Sequence, residues 1–301
     1  MSQTPRWDAE GRDWPSRARS RFVESGRLRW HVQVFGPEDS GREDSGKPVL
    51  LLLHGTGAAT HSWRALAPLL AADFIVVAPD LPGHGFTTGR PLGGLTMSAM
   101  ARELGKLLKA LDLAPIHVVG HSAGAAIALR MALDDVVSPR SIVGLNAALL
   151  PFPGLAAKLF PTLARLLFVN PFAPHFFAGI ARRPGETARF LARSTGSQID
   201  AEGAGYYERL FATPGHCAGA ITMMADWDLA ALKRDLPRLK APLLLVHGEA
   251  DAAIPLANAH EAAALIGGAR VTRLAALGHL AHEERPADVA VLIRQFAASP
   301  Q

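Results

Sequence analysis

Cysteine is almost absent from this chain: Cys217 is the single one in 301 residues. No disulfide can form within the chain, which suits a reducing compartment, and a cytoplasmic protein is expected. Charge is sparse as well. Asp, Glu, Lys and Arg make up 19% of residues, and the formal net charge is only +4. A nucleic-acid binder needs a denser basic stripe, so nucleic acid is not an expected partner. Apolar runs long enough to span a bilayer are missing, because prolines break the longest candidates, 141–157 and 166–181. The N-terminus is polar and lacks the apolar stretch of a signal peptide. The expectation is therefore a soluble protein with at most peripheral membrane contact. There is no internal repeat, no G-x-G-x-x-G after the first strand and no Walker loop, which leaves nucleotide binding unsupported. His279-Leu280-Ala281-His282-Glu283 is not the H-E-x-x-H arrangement, and no third ligand cluster accompanies it. Neither a cofactor nor a metal is expected.

Hydrophobic residues account for 49% of the chain, enough to bury a large core. Short apolar runs alternate with helical patterns. Val49–Leu53, Phe74–Ala78, Ile116–Val119, Ile142–Leu145, Leu243–Val246 and Val271–Leu274 read as strands buried on both faces. Before them, Phe22–Val23 and Leu28–Phe35 read as an antiparallel pair turning at Ser25-Gly26. Between and after the strands, Met97–Leu111, Ser122–Leu133 and Pro286–Ala297 read as helices. This alternation predicts the α/β class, with a mostly parallel eight-stranded sheet flanked by helices.

Three stretches stand apart. Residues 1–20 form an arm in which Trp7 and Trp14 interleave with Arg6, Arg12, Arg17 and Arg19. A solvated arm is the favoured reading, and weak contact with an anionic membrane surface is the alternative. Residues 36–47 are polar and Gly-rich, as in a surface loop. Residues 150–228 hold no clear strand but contain 8 of the 13 Phe and both Tyr. They read as a helical cap inserted between the sixth and seventh sheet strands. The core is then 21–149 together with 229–301.

The chemistry is concentrated at strand ends. Gly120-His121-Ser122-Ala123-Gly124 sits between a buried strand and a small-residue helix. Such a turn strains the serine backbone, so its neighbours must be small, and it lifts the hydroxyl above the strand ends. A serine hydroxyl needs a base, and His279, behind Gly278 just after the last strand, is the candidate. An acid must orient that base. Asp251 follows strand Leu243–Val246, with Glu249 as its rival. The order Ser122, Asp251, His279 is the order expected for a nucleophile elbow of this kind. His54-Gly55-Thr56-Gly57 follows the first parallel strand. Backbone N–H groups at Thr56 or Gly57, with that of Ala123, could form an oxyanion hole. Asp80-Leu81-Pro82-Gly83-His84-Gly85 reads as a structural turn beside the site, and His282 as support or surface.

These motifs resemble the α/β-hydrolase superfamily. HGTG (54–57), APDLPGHG (78–85), GHSAG (120–124) and GHLAHEERP (278–286) carry the resemblance in the core. A narrower resemblance, to the magnesium-chelatase accessory proteins of bacteriochlorophyll synthesis, rests on further stretches. These are GRDWP (11–15), LRWHVQ (28–33), HGTGAATHSWR (54–64), GHSAGAAIALRM (120–131), LNAALLPF (145–152), TGSQIDAEG (195–203) and PGHCAGAITMMADWDL (214–229). The resemblance implies a role close to magnesium insertion into protoporphyrin IX, with magnesium chelatase as a possible partner. It implies no defined reaction. Phe152, Phe160, Phe168, Phe172, Phe176, Phe177, Phe190 and Phe211 offer flat apolar surface suited to a tetrapyrrole, or else they form the cap's own packing. Three readings follow: a serine hydrolase of an ester or similar bond within pigment synthesis, a serine esterase of an unrelated small apolar substrate, or a non-catalytic tetrapyrrole-binding accessory.

Overall fold

The computed structural model describes residues 4–36, 46–151, 170 and 172–299. Its strands are β1 (Ser20–Ser25), β2 (Leu28–Phe35), β3 (Val49–Leu53), β4 (Ile75–Pro79), β5 (Thr88–Gly89), β6 (His117–His121), β7 (Ser141–Leu145), β8 (Leu243–Gly248) and β9 (Arg270–Leu274). Eight of them form one path in the order β1-β2-β4-β3-β6-β7-β8-β9, with the two-residue β5 pairing β2. β1, β2 and β4 are antiparallel neighbours; from β4 to β9 every pairing on the path is parallel. The expected strands are all present. β5 lacks a sequence signal because two residues show no periodicity.

The helices that matter are α1 (Leu66–Leu70), α2 (Met97–Ala110), α3 (Ala123–Leu133), α4 (Ala173–Ala181), α5 (Glu186–Thr195), α6 (Ala201–Phe211), α7 (Pro214–Asp226), α8 (Leu229–Asp235), α9 (Leu256–Leu265), α10 (Ala281–Glu284) and α11 (Pro286–Ala298). Strand side chains alternate between two cores. Leu51, Leu53, Val118 and Leu245 face α2, α3, α8 and α9, whereas Leu50, Leu52, Val119 and Val246 face α1 and α11. Both faces are buried against helices, which explains why the central strands read as continuous apolar runs. β9 is an exception. It lies at the sheet edge and is only partly buried, so the expectation of a strand covered on both faces fails there.

Helices α4 to α7 lie between β7 and β8, and no strand occurs there among the described residues. Phe152, Phe160 and Phe168 lie outside the described residues, as does most of the 36–47 loop.

The arm departs from expectation. Trp14 is buried, and its indole N–H donates to Thr60 Oγ1 at 2.9 Å. Its ring meets Phe86 and Tyr206 edge-on. Trp7 packs on Phe22, His31 and Phe86, with the Arg17 guanidinium over its other face at 4.0 Å. The solvated-arm reading is thus overturned. The interleaving of Trp and Arg is a two-sided segment, indoles inward and guanidinia outward, laid against the fold.

Candidate active site

Strand β6 ends at His121 and helix α3 begins at Ala123, so Ser122 is the turn itself. Its backbone sits at φ 51°, ψ −114°, a conformation that costs a non-glycine residue about 1–3 kcal/mol. The surroundings hold it there. Ser122 N donates to Leu145 O at 2.9 Å, and Ser122 O accepts from Ala125 N and Ala148 N. The flanking glycines have a steric reason. A Cβ on Gly120 would lie 2.4 Å from Ala125 N, and one on Gly124 would lie 2.0 Å from Leu53 O. Either would push α3 off the sheet.

The predicted acid and base meet. His279 Nδ1 lies 2.8 Å from Asp251 Oδ2. A carboxylate accepts, so Nδ1 donates a proton to it, which leaves Nε2 as the nitrogen turned away from the acid. Asp251 Oδ1 accepts the amides of Ala253 and Ile254 at 2.8 and 2.9 Å. Burial works against the Asp251 charge, but His279, the Ile254 amide and Asn146 together hold its carboxyl below the ordinary range. Glu249 pairs instead with Arg273 on the surface. Ser122 Oγ has no hydrogen bond to any described residue, so the serine–base bond is not made in this arrangement. Its neighbour in the chain does reach the base: His121 Nε2 donates to His279 O at 2.9 Å, and the two rings stand 4.8 Å apart.

Two members of this cluster lacked a sequence signal. Asn146, at φ 46° just past β7, donates Nδ2 to Asp251 Oδ2 at 2.8 Å and to Gly278 O at 3.3 Å. His247 on β8 stands 3.6 Å from Asp251 Oδ2 while donating Nε2 to Ile254 O. Burial keeps His247 below its ordinary pKa, so it serves as a neutral donor.

The glycine loop after β3 closes on the elbow. A Cβ on Gly55 would lie 2.8 Å from His121 Nδ1 and 3.1 Å from Ser122 Cβ. The N–H groups of Thr56, Gly57 and Ala123 have no acceptor among the described residues. The inserted helices reach this loop. His216 of α7 accepts Gly85 N on Nδ1 and therefore donates Nε2–H to Gly57 O at 3.0 Å. Phe211 lies against Gly57, and Thr56 Oγ1 touches Met223 Sδ at 3.5 Å. Below it, Asp80 is fully buried and accepts from Thr60 N, Phe86 N and His31 Nδ1. His282 is buried too: its Nε2 donates to Ser62 Oγ, which in turn donates to Glu283.

The α/β hydrolase fold family model matches residues 48–286. The chain belongs to the α/β-hydrolase fold family. Among curated relatives, it is 42% identical over 274 residues to the magnesium-chelatase 30 kDa subunit of Rhodobacter capsulatus, covering 90% of this chain and 92% of that protein. It is also 32% identical to a pimeloyl-[acyl-carrier protein] methyl ester esterase of Aromatoleum aromaticum, over 82% of this chain and 97% of that one. Among solved structures, a thermophilic esterase from Thermogutta terrifontis superposes with a TM-score of 0.70 at 22% identity, covering 92% of this chain and 97% of that one. The last likeness concerns the fold alone. Among the described residues no helix is long and apolar enough to cross a membrane, and no group of three metal-ligating side chains is assembled.

Proposed function

We propose that this α/β-hydrolase is a serine hydrolase acting on an ester or similar acyl bond, and that it works beside magnesium insertion into protoporphyrin IX in bacteriochlorophyll synthesis. The observation that carries the chemistry is the Asp251–His279 pair at 2.8 Å next to a strained serine elbow. Ser122 Oγ attacks the acyl carbon and passes its proton to His279 Nε2. Asp251 holds the imidazole in its working tautomer and stabilises the imidazolium. The N–H of Ala123, with that of Thr56 or Gly57, receives the developing oxyanion. His279 then returns the proton to the leaving oxygen, and a water repeats the sequence to free Ser122.

The pathway rests on the 42% identity to a magnesium-chelatase subunit along nearly the whole chain. That relationship also supports magnesium chelatase as a partner and, with the lone buried Cys217, a cytoplasmic setting. Residues 150–228 act as the cap, and the core is 21–149 with 229–301. The substrate is apolar or tetrapyrrole-sized. Phe172, Phe176 and Phe190 are 76%, 66% and 57% exposed, too open to be the cap's own core. The same aromatics favour a second reading, in which the protein carries a porphyrin without cleaving it.

Ser122→Ala in a pigment-producing host separates the two. Loss of magnesium-porphyrin output with the protein folded supports hydrolysis. Unchanged output, with saturable quenching of protoporphyrin IX fluorescence by the purified protein, supports the carrier.

A further inference from the structure

Helix α5 ends at Thr195, and Thr195-Gly196-Ser197 runs on between the loop that carries Asp251 and the loop that carries His279. Thr195 O accepts the amide of His279 at 2.8 Å and that of Ala252 at 3.3 Å. One carbonyl therefore ties the base to the residue after the acid. Gly196 follows at φ +69°, and a Cβ there would lie 2.1 Å from Ala250 O. Ser197, which is buried, accepts the amide of Leu280 on Oγ at 2.8 Å. The same Oγ donates to Glu284 Oε2 at 2.9 Å. Glu284 Oε2 also accepts Gly278 N at 2.9 Å, and Glu284 Oε1 accepts Gln198 N at 2.9 Å. A Cβ on Gly278 would lie 2.4 Å from Ser197 Oγ. The residues before, at and after His279 are thus each bonded to this segment or to the glutamate it holds.

The fit is tight on both sides. Gly196 and Gly278 are the two places where a side chain would force the segment and the loop apart. Thr195 Oγ1 donates to Leu191 O at 2.6 Å and accepts Ser197 N at 3.1 Å, which anchors the segment to the end of α5. The adjacent Glu283 is gripped in parallel. It accepts from Tyr207 of α6 at 2.7 Å, from Ser62 at 2.9 Å and from Arg64. Short helix α10, which begins two residues after His279, is therefore bonded to the cap through both of its glutamates.

We propose that Thr195-Gly196-Ser197 is a clip through which the cap sets the position of His279 against Asp251, with the Ser197 hydroxyl as its central positioning group. Ser197 acts through Leu280 N and Glu284 and touches no reacting atom. The proposal rests on the hydrolase reading for its kinetic consequence, but its structural consequence stands apart from it.

The test is Ser197→Ala against Ser197→Thr, each read in two ways. The first is hydrolysis of a p-nitrophenyl butyrate series. Ser197→Ala should lower kcat on the order of 10- to 100-fold, as small misplacements of a base do, with KM moving by roughly twofold at most. Ser197→Thr keeps a hydroxyl and should restore most of the rate. The second is the low-field proton resonance of His279 Nδ1–H on Asp251, assigned by its loss in Asp251→Asn. It should persist in wild type and Ser197→Thr and broaden or vanish in Ser197→Ala. If Ser197→Ala fails to fold, Glu284→Gln replaces one of the two acceptor oxygens that this segment and Gly278 use and should move both readouts in the same direction. A wild-type protein inert toward every ester would sink the hydrolase reading, and the resonance would still decide the clip. Ser197→Ala and Glu284→Gln that keep both the resonance and the wild-type kcat would overturn it.

Discussion

At the scale of single residues, the competition between Asp251 and Glu249 is decided by hydrogen bonding. Asp251 is bonded on both oxygens inside the fold, whereas Glu249 reaches outward to Arg273. Asp251→Asn should lower the rate of ester cleavage by about 10³-fold or more, through the wrong imidazole tautomer. Glu249→Gln should change it by no more than roughly twofold, as expected of an exposed ion pair. Initial rates on one p-nitrophenyl ester compare the two; equal losses would return Glu249 to contention. The Ser122 turn and the Asp251–His279 pair were legible because each residue sits at a strand end behind a glycine or beside a turn. Asn146 and His247 were not. Their role arises from contacts to Asp251 Oδ2 from two different strand ends, a juxtaposition that neither residue's local sequence encodes.

At the scale of elements, the buried strands were legible because parallel pairing hides both faces and writes itself as an apolar run. The edge strand β9 was misjudged in burial for the complementary reason: it has a neighbour on one side only. The arm was the largest misreading. Its arginines signal solvent, but its indoles fill a cluster with Ala59, Phe86, Tyr206 and Leu210. It reaches both the helical turn after the oxyanion loop and cap helix α6. Trp14→Ala should therefore destabilise the fold by about 3–5 kcal/mol, seen as a lowered urea midpoint with little change in slope. A midpoint unchanged by Trp14→Ala would restore the solvated arm.

At the scale of the whole molecule, the distinctive feature is a set of buried neutral histidines around the site. Burial lowers His54 to about 4 and His84, His216 and His282 each to about 3, from an ordinary 6.5. Their tautomers are fixed by backbone and hydroxyl partners: His54 donates Nδ1–H to Gly55 O while accepting Leu81 N. Below pH 6.5 the unfolded chain takes up protons that the folded one refuses. Each folded pKa is depressed, so this stability is present in full above 6.5 and is lost as pH falls toward 3–4. Each ring contributes a slope of up to ~1.4 kcal/mol per pH unit inside that window. Thermal melts should show a plateau near about pH 7–8 and a steep fall by about pH 5. A Tm that holds constant across that range would show that these rings are not kept neutral by burial.

These scales converge on Ser122. The residue is strained, the elements around it are shaped to keep it strained, and the molecule surrounds it with neutral donors and the ionised carboxylate of Asp251. The most direct measurement is reaction of the native protein with a fluorophosphonate probe, followed by mass mapping of the adduct. The account predicts one adduct, on Ser122, formed rapidly by wild type and lost in His279→Gln. A folded protein that leaves Ser122 unmodified, or labels it equally fast without His279, would contradict it.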